Sequence, residues 1–457
     1  AMKKLLIIAT LAAVGMGACS KDDGVSAPED LRKYVQVTIP ENAASGETRT
    51  SVDGTTTSWV AGDKVAVSLY NGSTTEVCEF TADRTGATTT FSGSVPVGSY
   101  TCAAAHYPFC AATFDAVNKT FTHTWGDAYC STDLAAYDFM FSTVYETPFV
   151  VDETTTVLPI ALTFRPLMAR IGMKLALGAN ETPKYVTFTT DDNVLPTAGT
   201  VNADGTFSAS ALTNSLTVET DRKEFTVGLL PVGVASKMSV HVTTTDGMTY
   251  SDKSFQLAGL KRNTHYTMNV PCRTKRFMLT VPDGVNSKYG TGTYKNNEFY
   301  SVDPATDPTG IFKDWYFYRA ELKNTTNTAR GDKLKGKNRI QLQVALGGNN
   351  SNNGAFVTAP IQCDGTKTVT VSFTAATNRA ISANYWIGVT DNGPITSDWL
   401  RDINKISPHA EGLIPRSDNV SHSHTFTVTN GQRIMVKVSN TLGEHHLEFA
   451  DFTYTVE

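Results

Sequence analysis

Tyr34-Val35-Gln36-Val37-Thr38-Ile39 decides the fold class of this chain. Apolar side chains occupy the odd positions and polar ones the even positions. That period of two matches an extended strand with one face buried and one in water. The pattern recurs along the chain. Val65, Val67 and Leu69 alternate with smaller or polar neighbours; Val240 and Val242 alternate with Ser239, His241 and Thr243; and Tyr266, Met268 and Val270 follow. Asp53-Gly54, Asp204-Gly205 and Asp246-Gly247 supply turns between such runs. Threonine runs such as Thr154-Thr155-Thr156 and Thr243-Thr244-Thr245 add β-branched side chains that suit a pleated surface. One short helix is predicted, around Asp133 to Met140. The expectation is an all-β protein built of antiparallel β-sandwiches.

Charged residues make up 18% of the chain and the net charge is −5, a balance that argues against nucleic acid as a partner. At the N-terminus, Lys3 and Lys4 precede an apolar run from Leu5 to Val14, which is too short to span a hydrocarbon core of about 30 Å. Small residues follow, then Cys19. Met16-Gly17-Ala18-Cys19 resembles a lipobox, so residues 1–18 read as a lipoprotein signal peptide, Cys19 as the lipidated residue and 19–33 as a tether. Ser20-Lys21-Asp22-Asp23 resembles the surface-export signal of Bacteroidetes lipoproteins, which implies an outward-facing anchor in the outer membrane. No later run is long and apolar enough to be a second attachment.

Six cysteines remain besides Cys19: Cys78, Cys102, Cys110, Cys130, Cys272 and Cys363. An exported chain permits disulfides, and the four that fall close together could form two; the pairing is not readable from spacing. No CxxC spacing suggests zinc. The acidic, Thr-rich stretch Asp152 to Val157 and the polar link Cys272-Arg273-Thr274-Lys275-Arg276 suggest boundaries, giving units at 34–158, 159–273 and 274–457.

Thr48-Arg49-Thr50-Ser51 followed by Ser58-Trp59-Val60-Ala61-Gly62-Asp63-Lys64-Val65 resembles the opening of the Bacteroidetes fimbrillins. Leu162-Thr163-Phe164-Arg165-Pro166-Leu167-Met168-Ala169-Arg170-Ile171 is similar to their junction strand. Leu260-Lys261-Arg262-Asn263-Thr264-His265-Tyr266 is similar to the closing strand of their second domain. The resemblance spans about residues 34–272. It implies two transthyretin-like β-sandwiches and a role in surface pili or related adhesive lipoproteins. It also implies proteolytic processing after an arginine, for which Arg49 matches by motif and Arg32 by its linker-like context, and assembly with other pilin subunits by donor-strand exchange.

Residues 274–457 differ. Ile340, Leu342, Val344 and Leu346 alternate with Gln341, Gln343 and Ala345; Val369, Val371 and Phe373 alternate with Thr or Ser; Ile434, Val436 and Val438 alternate with Met435 and Lys437. The apolar phase of the last run switches at Ala450-Asp451, which predicts a β-bulge. This density of strands fits a jelly roll, and His446 to Tyr454 resembles the last strand of galactose-binding-like carbohydrate-binding modules. Sugar binding needs flat aromatic faces beside polar groups; Trp315, Tyr318, Trp386 and Trp399 are the candidates. Trp386 should point away from Tyr385, Ile387 and Val389, and Trp399 should lie in a loop. Lys333, Lys335, Lys337 and Arg339 would share one side of an extended strand, as a charged sheet edge or as an attractor of acidic polysaccharide.

No catalytic constellation emerges. Gly331 to Lys337 fits GxxxxGK, but Asn338 stands where a phosphate-binding loop needs Ser or Thr. No GxSxG or HExxH occurs. His422 and His424 could share a strand face without a third metal ligand. Paired carboxylates for glycoside hydrolysis are not nominated by any motif. The expected protein is a non-enzymatic surface lipoprotein without cofactor or metal. It would act as a pilus tip or accessory adhesin whose last domain binds a glycan or other host ligand. The rival is a glycan-capture lipoprotein of a polysaccharide-uptake system. Radioactive palmitate should label the expressed protein and fail to label Cys19→Ser; equal labelling of the two would contradict lipidation there.

Overall fold

The computed structural model describes residues 31–39, 51–53, 56–257, 259–281, 299–301, 312–323, 334, 336–344, 353–377, 382–391, 393–415, 419–440 and 446–457. It is a β-protein throughout, in which the described helices are single turns. The predicted helix is Leu134–Tyr137, capped by the Asp133 carboxylate accepting from Ala136 N at 3.1 Å. Among the described residues, no helix is long and apolar enough to cross a membrane.

The first unit is a seven-stranded antiparallel sheet. Its order is Arg32–Ile39, Thr89–Pro96, Thr75–Ala82, Lys64–Tyr70, Cys102–Tyr107, Met140–Ser142 and Phe164–Pro166. Alternation does what the sequence requires: Val35, Val37, Ile39, Val65, Val67 and Leu69 are fully buried. Trp59 anchors this core, with ring centroids 5.0 Å from Phe91 and 5.5 Å from Tyr107 and Phe164. The residues after it form a turn. Gly62 takes a φ of 94°, a region that disfavours a side chain, and Asp63 accepts from Val60 N at 2.7 Å.

The run from Phe164 to Ile171 passes from one core to the next. Phe164 packs with Trp59, whereas Leu167, Met168, Ala169 and Ile171 pack in the second core. Arg170, in that run, is buried and paired with the buried Asp138 at 2.6 Å. The second unit contains a three-stranded sheet, Glu224–Leu229, Ala169–Leu175 and His265–Val270, the last two parallel. Facing strands are Ser215–Glu219, Pro183–Thr190, Ser236–Thr244 and Thr249–Leu257. Strand pairing also crosses residue 158: Thr120–Thr124 pairs with Leu195–Asn202.

The third unit is a sandwich around one large core. One sheet runs Phe299–Ser301, Tyr316–Tyr318, Ala355–Val357, Arg433–Asn440, Ala383–Thr390 and His409–Ile414. Opposite lie Ala320–Lys323, Arg339–Gln343, His446–Val456, Thr366–Thr377 and Val420–Thr429. The bulge falls where the phase switch placed it: Asp451 has a φ of 53°, and the register against Thr366–Thr377 jumps between Ser372 and Thr374.

Two sequence expectations need correction. The polar link is a strand, Lys275–Met278, that joins the second and third units into one sheet by pairing with Thr249–Leu257 and with His446–Val456. The supposed cationic ridge is not one. Lys333 and Lys335 lie outside the described residues, and Gly336 is in a turn with a φ of 73°. Lys337 is exposed, whereas Arg339 is fully buried in a strand with neighbours on both sides. Gln341 and Glu448 are buried beside it and hydrogen-bonded at 2.7 Å, so this strand is covered on both faces. The six described cysteines are all free thiols, five of them buried.

Lys275 secures the shared strand. Its ammonium, 1% exposed, meets Glu181 at 2.8 Å, Asp246 at 2.9 Å and the Gln362 carbonyl. Burial alone would raise the Glu181 pKa, but Lys275 and Tyr250 hold it below its usual value. Asp246 also belongs to the Asp246-Gly247 turn, where it accepts from Met248 N at 3.1 Å. From the third unit, Asp364 accepts from Ala179 N at 2.6 Å and Asn180 N at 3.2 Å. Lys275→Met should strand two buried carboxylates and cost about 3–5 kcal/mol in urea unfolding. A cost under about 1 kcal/mol would show that the cluster does not hold the joint.

Candidate functional site

The four aromatic candidates separate on folding. Trp315 is fully buried in the main core, stacked near Phe356 at 6.0 Å and tilted against Phe277 at 5.0 Å. A ring with no face open to solvent cannot stack on a sugar, so Trp315 is a core residue. The signal was present in the sequence: Trp315 and Phe317 share a strand phase, and Phe317 faces the core. Tyr318 is 1% exposed and likewise sealed, because a segment that looked like loop covers it.

That segment forms a capped helical turn, Ser397–Arg401, rather than a loop. Thr396 accepts from Trp399 N at 3.2 Å, and Asp398 sits in the first turn. The turn lies against the outer face of the six-stranded sheet and builds a satellite cluster there. Trp386 and Trp399 both belong to it and both remain half-buried. Tyr385, Ile387 and Val389 are fully buried on the other side of Trp386's strand, which is why Trp386 points outward. Tyr316 is half-buried in the same cluster, with the Arg433 guanidinium 5.6 Å from its ring centroid.

Sequence reasoning missed Lys437, the cross-strand partner of Trp386. Its ammonium is buried and donates to the carbonyls of Asn353 at 3.2 Å and Leu400 at 3.3 Å. Burial, reinforced by Arg401, pushes its pKa down to about 7. The hint was a lone Lys at an outward position opposite a Trp. His422 and His424 stack with rings 6.2 Å apart, and His424 Nε2 lies 2.8 Å from the Tyr385 hydroxyl. Among the described residues they belong to no group of three potential metal ligands.

Cys19 and Arg49 lie outside the described residues. Arg32 is not in a linker. It opens the first strand, pairs with Glu76 at 2.9 Å and donates to the Ser94 carbonyl at 2.9 Å. The strand it opens sits in a slot: it pairs along its length with Thr89–Pro96, and on the other side Gln36 N donates to Thr156 O at 3.0 Å while Leu158 N donates to Gln36 O at 2.8 Å.

The body that holds the Trp59 anchor and the junction strand is a β-sandwich protein, and comparison with known families identifies its kind. The model of fimbrillin-like proteins matches residues 48–284, and the chain belongs to that family. Membership places it with pilus-associated adhesins at the cell surface. Among solved structures, a candidate cell adhesion protein from Bacteroides uniformis is 17% identical. The match covers 53% of this chain and 93% of that one, with a TM-score of 0.36. The C-terminally truncated tip fimbrial protein Mfa3 from Porphyromonas gingivalis is 13% identical, over 55% of this chain and 96% of that one, with a TM-score of 0.28. A xylan-binding domain from Paenibacillus barcinonensis is 12% identical, over 31% of this chain and 85% of that one, with a TM-score of 0.22. No curated protein matches.

The Lys437 environment yields a signed pH effect. A lysine whose folded pKa lies below its unfolded value leaves the unfolded chain binding more protons between about pH 7 and the usual lysine range. Stability should therefore rise with pH across that window. Lys437→Met should flatten the rise, by on the order of a few kcal/mol at its upper end. Parallel curves for the two proteins would contradict the assignment.

Proposed function

We propose that this protein is a surface adhesin that joins pili as a tip or accessory subunit, delivered by a lipid on Cys19 and released by cleavage after Arg49. The slot around Arg32–Ile39 carries the reading. That strand buries Val35, Val37 and Ile39 completely, yet it precedes Arg49 in the chain. A cut after Arg49 would leave it held by hydrogen bonds and apolar burial alone. An equivalent strand from another subunit could then replace it, which is the physical basis of donor-strand exchange. A cut after Arg32 would leave the strand attached, so Arg49 is the processing site that opens the slot.

The third sandwich is the ligand-bearing part in this reading. Trp386 and Trp399 offer half-exposed indoles on one outer face, a geometry suited to the C–H face of a sugar ring. The strand His446–Val456 is unsuited to donation, being paired on both sides in the middle of its sheet. We read the protein as non-enzymatic, because the proteins it is similar to are fimbrial and adhesive rather than enzymes.

Immunogold labelling of intact cells tests this. Label should fall on filaments or their ends, and Arg49→Ala should keep it at the membrane. Wild-type label confined to the membrane would contradict the pilus role and favour glycan capture.

A further inference from the structure

The opposite outer face of the third sandwich holds a groove of about 760 Å³ that the aromatic site does not touch. Its origin is the bulge at Asp451. Lys275–Met278 pairs with the end of His446–Val456 as far as Thr453, and Arg339–Gln343 resumes pairing only at Ala450. The sheet is therefore notched at the bulge, where Leu279 N donates to Phe452 O at 2.8 Å and the Asn338 side chain accepts from Val281 N at 3.0 Å. Bulges re-aim side chains, and here the displaced Asp451 carboxylate turns out to meet Lys337.

The groove wall carries a row of hydroxyl side chains. Registered strands present Thr453, Ser372 and Ser423 in one row across the sheet, with Ser372 and Ser423 hydroxyls 3.1 Å apart. Arg276 stands at the rim, exposed, and makes no ion pair among the described residues. Beside it Met278 is 60% exposed. With Lys337 neutralised by Asp451, Arg276 is the uncompensated cation of the groove among the described residues.

We propose that this groove binds an oligosaccharide bearing a carboxylate, such as a uronic or sialic acid, with Arg276 engaging the acid. Hydroxyl side chains both donate and accept, which matches a polyhydroxylated ligand. A free guanidinium fork matches a planar carboxylate bidentately. Thr366–Thr377, the strand at the middle of the groove floor, is already paired on both sides and offers an extended peptide no ladder to join. The Met278 side chain supplies an apolar strip for sugar C–H groups, and the volume suits a ligand of a few rings. This inference rests on the third sandwich being the ligand-bearing part.

Calorimetric titration of the full chain with trigalacturonate, its methyl ester and a sialylated trisaccharide tests the proposal. At least one acidic sugar should bind. Esterification should weaken galacturonate binding, and Arg276→Gln should weaken acidic-sugar binding, each at least tenfold with an unchanged melting temperature. Trp386→Ala should leave that binding intact. Failure of both acidic sugars to bind, equal binding of acid and ester, or wild-type affinity in Arg276→Gln would overturn it. Loss of binding in Trp386→Ala with retention in Arg276→Gln would also overturn the groove, while leaving the adhesin reading standing on the aromatic face.

Discussion

A lysine ammonium removed from water must be compensated, and Lys275 is compensated by groups from three parts of the chain. Glu181 and Asp246 come from the second unit, the Gln362 carbonyl from the third, and the lysine itself from the strand they share. Once that charge is buried, none of the contributors can move away without exposing the others to an uncompensated site. The strand Lys275–Met278 then extends one sheet across the junction. Packing follows from this constraint: Met248, in the turn after Asp246, belongs to the core of the third sandwich, and Asp364 fills the space beside Gly178, where a Cβ would lie 2.4 Å from its carboxylate. The third sandwich is thus fixed to the fimbrillin-like body rather than hung from it.

Much of this was legible in the sequence because period-two burial is a local property. Val35, Val37, Ile39, Ile340, Leu342, Val369, Val371 and Phe373 all face cores as their phase demands, and the phase switch at Ala450-Asp451 is a real bulge. What failed was everything that depends on the second face of a sheet. Arg339 and Gln341 read as solvent-facing, yet a further layer buries them. Tyr318 and Lys437 are covered by a helical turn whose cap, Thr396, was legible in principle but lay in a stretch read as loop. The polar composition of residues 272–276 suggested a linker because a buried salt-bridged lysine and a solvated one look alike until their partners, roughly 30 to 90 residues away, are brought near.

The candidate sites show the same division. Trp386 was readable from alternation alone, and Trp315 could have been set aside by its phase with Phe317. The hydroxyl groove was not readable, since it arises where strands from residues 276, 337, 372, 423 and 451 meet at a bulge. Its side chains, Ser, Thr, Met and Arg among them, are ordinary ones, and only the notch in the sheet turns them into a concave surface. A sandwich fixed in orientation presents that groove and the Trp386 face at constant angles to the slot around Arg32–Ile39. Such geometry suits a subunit that transmits load from a ligand to a pilus.

The rigidity of the joint is the claim on which this account turns, and a distance distribution measures it most directly. Spin labels at Thr217 in the second unit and Thr425 in the third, both on exposed strand positions, would be read by double electron–electron resonance in the full chain. A single narrow distribution is predicted, broadening when Lys275 is replaced by Met. A broad distribution in the unmodified chain would show the third sandwich moving freely, and would contradict the account.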